Sequence, residues 1–286
     1  MNLILISLLT LVAIGSFSAI ILFFVSKKFQ VYEDPRIDEV EAALPAANCG
    51  GCGFPGCRNF ATACVKAESL DKLVCPVGGT PTMEKVAAIL GKTIVAAAPT
   101  LAVVRCAGTC DNRIRKNQYD GVKHCFIAHN LYSGETGCSW GCLGLGDCEL
   151  SCKFDAIHVN PVTLIPEVDE EKCTSCGACV KACPKILIEL RKKGPKLRRI
   201  YVSCMSQDKG PITKKACSVG CIGCSNCFKV CPYDAITMNN NLAFIHDDKC
   251  KLCRKCVEVC PTNSIIELNF PPRKVKEPLT PEGGIR

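Results

Sequence analysis

Cys221-Ile-Gly-Cys224-Ser-Asn-Cys227-Phe-Lys-Val-Cys231-Pro232, followed downstream by Cys250-Lys-Leu-Cys253-Arg-Lys-Cys256-Val-Glu-Val-Cys260-Pro261, decides the fold of this chain. Each run spaces three thiols two residues apart and sets a fourth three residues further on, just before proline. Three thiolates on so tight a loop grip one face of a [4Fe–4S] cube, while the fourth starts a helical turn that points away and reaches the other cube. The spacing therefore assigns Cys221, Cys224, Cys227 and Cys260 to one cube and Cys231, Cys250, Cys253 and Cys256 to a second. Zinc also accepts four thiolates. Its finger sites, however, separate their Cys pairs by a dozen or more residues, which these interlocked runs do not.

Upstream, the same module occurs once more. Cys138-Ser-Trp-Gly-Cys142 matches Cys217-Ser-Val-Gly-Cys221, Cys148 and Cys152 match Cys227 and Cys231, and Asp155-Ala156-Ile157 matches Asp234-Ala235-Ile236. Cys173, Cys176, Cys179 and Cys183 match Cys250, Cys253, Cys256 and Cys260, and Cys106 and Cys204 hold comparable places after Val-Val-Arg and Tyr-Val-Ser. One cube of this copy has its four thiols, Cys152, Cys173, Cys176 and Cys179. The other, at Cys142, Cys148 and Cys183, has Leu145 where a ligand belongs. Three readings stand open: a three-iron centre, a substitute thiol, or no cluster. Cys138, four residues before Cys142, is the preferred substitute. Cys106, Cys110 and Cys125 are extra candidate ligands for a further cluster if another Cys joins them; the alternative is that they are buried small hydrophobes. Cys204, Cys217 and Cys64 read as spare.

A third kind of site lies nearer the N-terminus, in Asn48-Cys49-Gly-Gly-Cys52-Gly-Phe-Pro-Gly-Cys57 with Cys75-Pro76 beyond it. Glycine lets backbone N–H groups approach cluster sulfurs, and such hydrogen bonds tune the potential. A helical stretch from Arg58 to Leu73 returns the chain to Cys75, so Cys49, Cys52, Cys57 and Cys75 form a separate [4Fe–4S] site with Cys64 inside the helix as a structural thiol. The whole chain then holds about five [4Fe–4S] clusters, within a range of about four to six.

Leu3 to Val25 is one apolar run without charge, followed by Ser26, Lys27 and Lys28. Its 23 residues give about 35 Å of helix against a hydrocarbon core of roughly 30 Å. No basic stretch precedes it and no small-x-small cleavage site follows, which favours a retained single-pass anchor over a signal peptide. The lysine pair after the helix directs the bulk of the chain to the cytoplasm. In that reducing compartment 26 cysteines are metal ligands rather than disulfides. The expected class is α+β: a transmembrane anchor at 1–28, a connector at 29–45, a small mainly helical [4Fe–4S] domain at 46–85 and a linker at 86–105. A first ferredoxin-like module at 106–190, a basic linker at 191–200, a second module at 201–270 and a mobile tail at 271–286 complete it.

A net charge of +8 favours acidic partners or anionic lipid. No aromatic-interleaved basic stripe points to nucleic acid, so none is expected as a partner. Arg191–Arg199 reads as an exposed basic loop, suited either to an acidic redox protein or to lipid. Four histidines and few paired carboxylates argue against an acid–base hydrolase, and no Gly-x-Gly-x-x-Gly opens a helix, so no nicotinamide site and no catalytic residue of its own is expected.

The two interlocked runs resemble bacterial two-cluster ferredoxins. With the N-terminal anchor and Asn48-Cys49-Gly-Gly-Cys52-Gly-x3-Cys57, the chain resembles, from Leu3 to about Lys274, the Rnf complex's iron–sulfur B subunit, in its long form with two dicluster modules. That family belongs to a membrane-bound, ion-translocating ferredoxin:NAD+ oxidoreductase. The resemblance implies a subunit at the cytoplasmic face of a bacterial inner membrane that accepts electrons from reduced soluble ferredoxin. It implies partners too: the bilayer, and the other membrane and flavin-bearing subunits to which electrons pass. A polyferredoxin serving a membrane hydrogenase or a redox sensor's reducing system is the alternative, since it would carry the same clusters. Leu145 departs from the ferredoxin rule and leaves the first cube of the upstream copy the weakest carry-over.

Overall fold

The computed structural model describes residues 3–28, 33–94, 98–131 and 134–272. The expected mobile tail lies outside these residues from 273 onward, as does part of the expected connector, 29–32. Helix α1 (Leu3–Lys28) is apolar all round, and the described part of it packs against nothing. At about 1.5 Å per residue it is long enough to cross a bilayer.

Three amphipathic helices follow: α2 (Arg36–Ala43), α3 (Cys57–Lys66) and α4 (Gly79–Leu90). Their apolar faces meet in one core of Ile37, Val40, Phe60, Cys64, Val86 and their neighbours. Apolar residues at helical spacing create those faces. The C-terminal carbonyls of α3, which have no partners inside the helix, are taken by the Lys92 ammonium, which donates to Cys64, Val65 and Ala67 at 2.8, 3.1 and 2.5 Å. Arg58 ties α3 to α2 through Asp38 and Glu41 at 2.9 and 2.8 Å, on a surface where such pairs contribute little.

The rest of the described chain is one unit built twice. In the first copy β1 (Thr100–Val104) leads through α5 (Cys125–Leu131) and α6 (Asp147–Leu150) to the hairpin β2 (Ile157–Val159) and β3 (Pro166–Val168). Helix α7 (Ala178–Ala182) and β4 (Ile188–Lys192) complete it. First and last strands pair antiparallel, Thr100 opposite Lys192 and Val104 opposite Ile188, and the hairpin pairs Ile157 with Val168. The second copy has β5 (Arg199–Val202), α8 (Gly210–Ala216), α9 (Asn226–Val230), β6 (Ile236–Asn239), β7 (Leu242–Ile245), α10 (Lys255–Glu258) and β8 (Ile265–Leu268). Again the outer strands pair, Arg199 opposite Leu268, and so do the inner ones, Ile236 opposite Ile245. The β-branched residues of these short strands close a small core over each set of cluster loops.

Two expectations change here. The stretch 86–105 is not simply a linker, because Thr100–Val104 is the first strand of the first module. Nor is Arg191–Arg199 an exposed basic loop throughout. It carries the end of β4 and the start of β5, and although Lys192 and Lys196 are exposed, Arg191 and Arg199 are buried. These arginines join the modules. Arg191 donates to the Ile245 carbonyl at 2.8 Å and stacks 5.0 Å from the Phe244 ring, Arg199 pairs with Glu170, and Arg105 donates to the Val202 and Cys204 carbonyls. Burial lowers the Arg105 pKa while Glu189 opposes the shift.

Glu189 is the shared counter-ion of Arg105 and Arg191, at 3.3 and 2.5 Å. Glu189→Ala leaves two buried cations without it. Breaking a buried pair this way costs on the order of 3–5 kcal/mol, and the lower end applies because Glu189 keeps 26% of its side chain exposed. Anaerobic denaturant unfolding of the intact protein measures this; a loss under about 0.5 kcal/mol, the scale of ordinary surface substitutions, would show that the arginines do not depend on Glu189.

Candidate functional site

Backbone conformation, not only cysteine spacing, shapes the cluster loops. In each regular loop the residues on either side of the second Cys are left-handed: Ser175 and Gly177 around Cys176, Gly223 and Ser225 around Cys224, Leu252 and Arg254 around Cys253. These bends curl the loop so that three thiols face one space. The closing Cys of each of three runs accepts a hydrogen bond from the residue four further on: Cys152 from Ala156, Cys183 from Leu187 and Cys260 from Ser264, at 3.4, 3.4 and 3.3 Å.

In the second module the interlocked assignment has a direct geometric counterpart. Cys221, Cys224, Cys227 and Cys260 line one cavity of ≈ 340 Å³. Cys231, Cys250, Cys253 and Cys256 line another of ≈ 310 Å³. In the first module Cys152, Cys173 and Cys176 lie close enough to Cys179 to raise its pKa, after burial, to about 11.

At the irregular cube the structure brings in a different thiol from the one preferred on sequence. Cys142, Cys148 and Cys183 line a cavity of ≈ 400 Å³ together with Cys125, and Cys138 is not among its walls. The loop around Leu145 keeps the regular bend, with Gly144 and Gly146 both left-handed. Burial raises the Cys125 pKa, while the nearby N–H groups of Asp147 and Leu145 oppose the shift. Asp147 fixes Cys125 there, because its carboxylate caps the start of α5, accepting from the N–H of Cys125 and Phe126 at 2.9 and 3.0 Å. The thiol thus arrives from a helix outside the motif, to the loop position where Leu145 supplies none.

In the N-terminal domain Cys52, Cys57 and Cys75 pack into the helical core, and Cys49 and Cys52 act on Cys75. The Asn48 carboxamide accepts from the Cys57 N–H at 2.8 Å, which closes the glycine loop onto the start of α3. Gly51 N–H donates to the Cys49 sulfur and Gly78 N–H to that of Cys75, at 3.5 and 3.3 Å. Cys64 is wholly buried in α3 with its pKa pushed up to about 11, chiefly by burial. This loop touches the first module: a Cβ at Gly51 would lie 2.7 Å from the Cys176 carbonyl oxygen. Only glycine permits that approach.

Burial likewise raises Cys148, Cys204 and Cys256 to about 12. Thiols so desolvated are inert as nucleophiles and become thiolates when iron displaces the proton. Cys110 is exposed, with its sulfur 3.7 Å from the Thr163 carbonyl. Cys106, Cys138, Cys204 and Cys217, from four separate parts of the sequence, line a further cavity. The repeat did signal this, since Cys106 matches Cys204 and Cys138 matches Cys217, yet taken module by module Cys204 and Cys217 read as spare, Cys138 as the substitute beside Cys142 and Cys106 as an extra candidate ligand.

Comparison with known proteins agrees with the cluster chemistry. Residues 220–264 match a 4Fe-4S dicluster domain, residues 164–185 a 4Fe-4S binding domain, and residues 44–76 an Fe-S cluster domain. The chain is 44% identical over 240 residues to the B subunit of the Na+-translocating ferredoxin:NAD+ oxidoreductase complex of Acetobacterium woodii, covering 84% of this chain and 71% of that one. It is 38% identical to the B subunit of the ion-translocating oxidoreductase complex of Methanosarcina acetivorans, over 91% of this chain and 96% of the relative. To the B subunit of the proton-translocating ferredoxin:NAD+ oxidoreductase complex of Clostridium ljungdahlii it is 40% identical, over 88% of each. Identity at this level along most of both chains, joined to thiol sets built for several [4Fe–4S] clusters, means that the chain belongs to the B-subunit family of ion-translocating ferredoxin:NAD+ oxidoreductase complexes and is an iron–sulfur electron carrier of such a complex.

Proposed function

We propose that this carrier accepts electrons from reduced soluble ferredoxin at its second module and relays them, through the first module and the N-terminal domain, to the membrane and flavin-bearing subunits of its complex. The observation that carries this reading is the close approach of Gly51 to Cys176, which joins the N-terminal loop to the nearest cube of the first module. On this reading the ligand sets are Cys49, Cys52, Cys57 and Cys75; Cys152, Cys173, Cys176 and Cys179; Cys125, Cys142, Cys148 and Cys183; and the two sets of the second module. Bound there, the clusters supply one-electron chemistry. The protein's part is to hold each set, exclude water and donate hydrogen bonds to sulfur.

Electrons enter where thiols reach the surface. Cys224 and Cys253 are exposed, and Cys253 sits among the exposed lysines Lys249, Lys251 and Lys255. This patch, rather than 191–199 as a whole, has the charge to steer an acidic ferredoxin. The Cys49 set stands nearest α1 in sequence, which suits it to pass electrons toward the membrane. Helix α1 anchors the chain, and Lys27 and Lys28 hold the remainder in the cytoplasm.

Charge reversal tests the docking patch. Lys251→Glu with Lys255→Glu lowers the second-order rate of reduction by ferredoxin at least about tenfold at low ionic strength, and the difference shrinks as salt screens it. Stopped-flow measurement yielding equal rates at low salt would remove the patch from the reading.

Sidedness has its own test. A phosphatase that works only in the periplasm, fused after Arg286, stays inactive if residues 29–286 lie in the cytoplasm; activity would reverse the orientation.

The irregular cube tests the ligand set. Cys125→Ser removes about four iron atoms per chain, whereas Leu145→Cys in that background restores them by completing the regular loop. Iron analysis finding Cys125→Ser equal to wild type would return the cube to the other readings of that loop.

A further inference from the structure

Four thiols that the ferredoxin motifs leave over meet between the two modules. Cys106 follows β1 and Cys138 precedes the irregular loop of the first copy; Cys204 follows β5 and Cys217 precedes the regular loop of the second. All four are buried, and all line one cavity of ≈ 340 Å³. We infer that Cys106, Cys138, Cys204 and Cys217 ligate a sixth [4Fe–4S] cluster, shared between the modules, that carries electrons from one to the other.

The walls of this cavity suit a sulfide-rich guest. Arg113 Nε, Trp140 Nε1 and Ser203 Oγ are buried and find no hydrogen-bond partner among the described residues, and all three residues line the cavity. Arg113 and Ser203 are 7% and 2% exposed. Buried polar groups without partners are rare and costly, and sulfur atoms of a cube would engage them. A backbone donor is also in place: Ser206 N–H donates to the Cys204 sulfur at 3.4 Å. The modules are stitched together at this point. Ala107 N–H donates to the Ser203 carbonyl at 3.1 Å, Ser218 N–H donates to that of Asn112 at 2.9 Å, and the Arg113 backbone bridges to that of Cys217.

A single zinc ion fits poorly. With Zn–S near 2.3 Å, tetrahedral sulfurs stand about 3.8 Å apart. Among the described residues no group of three or more Cys, His, Asp or Glu side chains is placed to hold a single metal ion, here or at the ferredoxin-type loops.

Position gives the site its role. Arg113, a wall of this cavity, donates to the Cys142 carbonyl at 2.5 Å, and Leu187 lines both this cavity and that of the irregular cube. On the opposite side Ser264, a wall of the second module's cavity, donates through its hydroxyl to the carbonyl of Val219, a wall of this one, at 2.8 Å. As the cluster binds, four thiols release their protons to solvent and four Fe–S bonds form. Each transfer then moves one electron in from the Cys221 side and one out to the Cys142 side, with no bond made or broken. Six sets of four account for 24 of the 26 cysteines and leave only Cys64 and Cys110 outside.

The inference rests on the carrier reading above, and one experiment separates the two. The full chain, prepared anaerobically with its clusters, holds about 24 iron and about 24 acid-labile sulfide per chain. Cys204→Ser and Cys106→Ser each lower both to about 20 and remove one cluster from the reduced EPR spectrum, while Cys110→Ser changes neither. In Cys204→Ser, ferredoxin still reduces the second module, but reduction of the first slows at least tenfold. Cys221→Ala is the reference, since it loses about four iron whether or not the sixth cluster exists. If Cys221→Ala loses iron and neither Cys106→Ser nor Cys204→Ser does, the sixth cluster is refuted and the carrier reading stands. If Cys221→Ala loses none, the motif assignment itself fails. A wild-type content of about 20 iron, or one zinc per chain, overturns the sixth cluster even where a variant does not accumulate.

Discussion

A thiolate buried without a counter-charge is expensive, and this chain buries many thiols in small apolar cavities. Iron resolves the conflict by taking the place of the proton, so that the negative sulfurs become ligands of a positive cluster core. Much else in the fold serves to gather four such sulfurs at a time. The strands are only three to five residues long, the helices of the modules run four to seven, and aromatic residues make up 6% of the chain. So sparse a hydrocarbon core stabilises little by itself. Folding of the modules and loading of their clusters are therefore one equilibrium, as in other small metal-bound domains.

What the sequence makes legible follows from that constraint. Where all four ligands come from two interlocked local runs, spacing alone is sufficient: the loops at Cys221–Cys231 and Cys250–Cys260 line two cavities with the thiols that the motif pairs. The apolar helix and the duplication are equally plain, since one is a composition and the other an identity between stretches. Local spacing fails where a ligand arrives from elsewhere. Leu145 breaks the motif, but Gly144 and Gly146 keep its bends, so the loop still forms. The fourth thiol in the wall of that cavity is Cys125, placed by the Asp147 cap on α5. A carboxylate capping a helix more than twenty residues earlier in the chain leaves no periodic trace. Cys138 is nearer in sequence, yet the backbone carries it toward Cys106 and into another cavity. Likewise Arg191 and Arg199 look like surface charge in sequence, and only the packing of one module on the other buries Arg191 against Phe244 and Ile245 and Arg199 against Glu170.

Buried arginine and the carrier role belong together. Each one-electron reduction adds negative charge to a low-dielectric interior, where an isolated charge is poorly tolerated. Arg105 and Arg113 line the cavity of Cys106, Cys138, Cys204 and Cys217, Arg113 acts electrostatically on Cys138, Cys142 and Cys217, and Arg191 acts on Cys250. A fixed cation beside a centre favours its electron-rich state, and for a one-electron couple about 59 mV is a tenfold change in equilibrium. The charges that hold the modules together are thus placed to bias the flow between them.

Duplication alone would not make a continuous carrier. Two copies of a module give two pairs of cubes with a protein interface between them, and that interface would be the slow step. Each copy, however, carries two thiols that its own cubes cannot use, at the end of its first strand and just before its first loop. One module alone offers such a pair only half a ligand set. Packing the modules so that the segment after β1 meets the segment after β5, Ala107 bonded to Ser203, brings Cys106, Cys138, Cys204 and Cys217 to one cavity, and two incomplete pairs become one set of four. A cluster there would bridge the interface and also require it, since neither module could retain the cluster alone. The arginine contacts that cross the interface, Arg191 to Ile245, Arg105 to Val202 and Cys204, and Arg199 to Glu170, and the shared thiols then enforce the same arrangement by independent means, so the path for the electron and the packing of the modules cannot be separated.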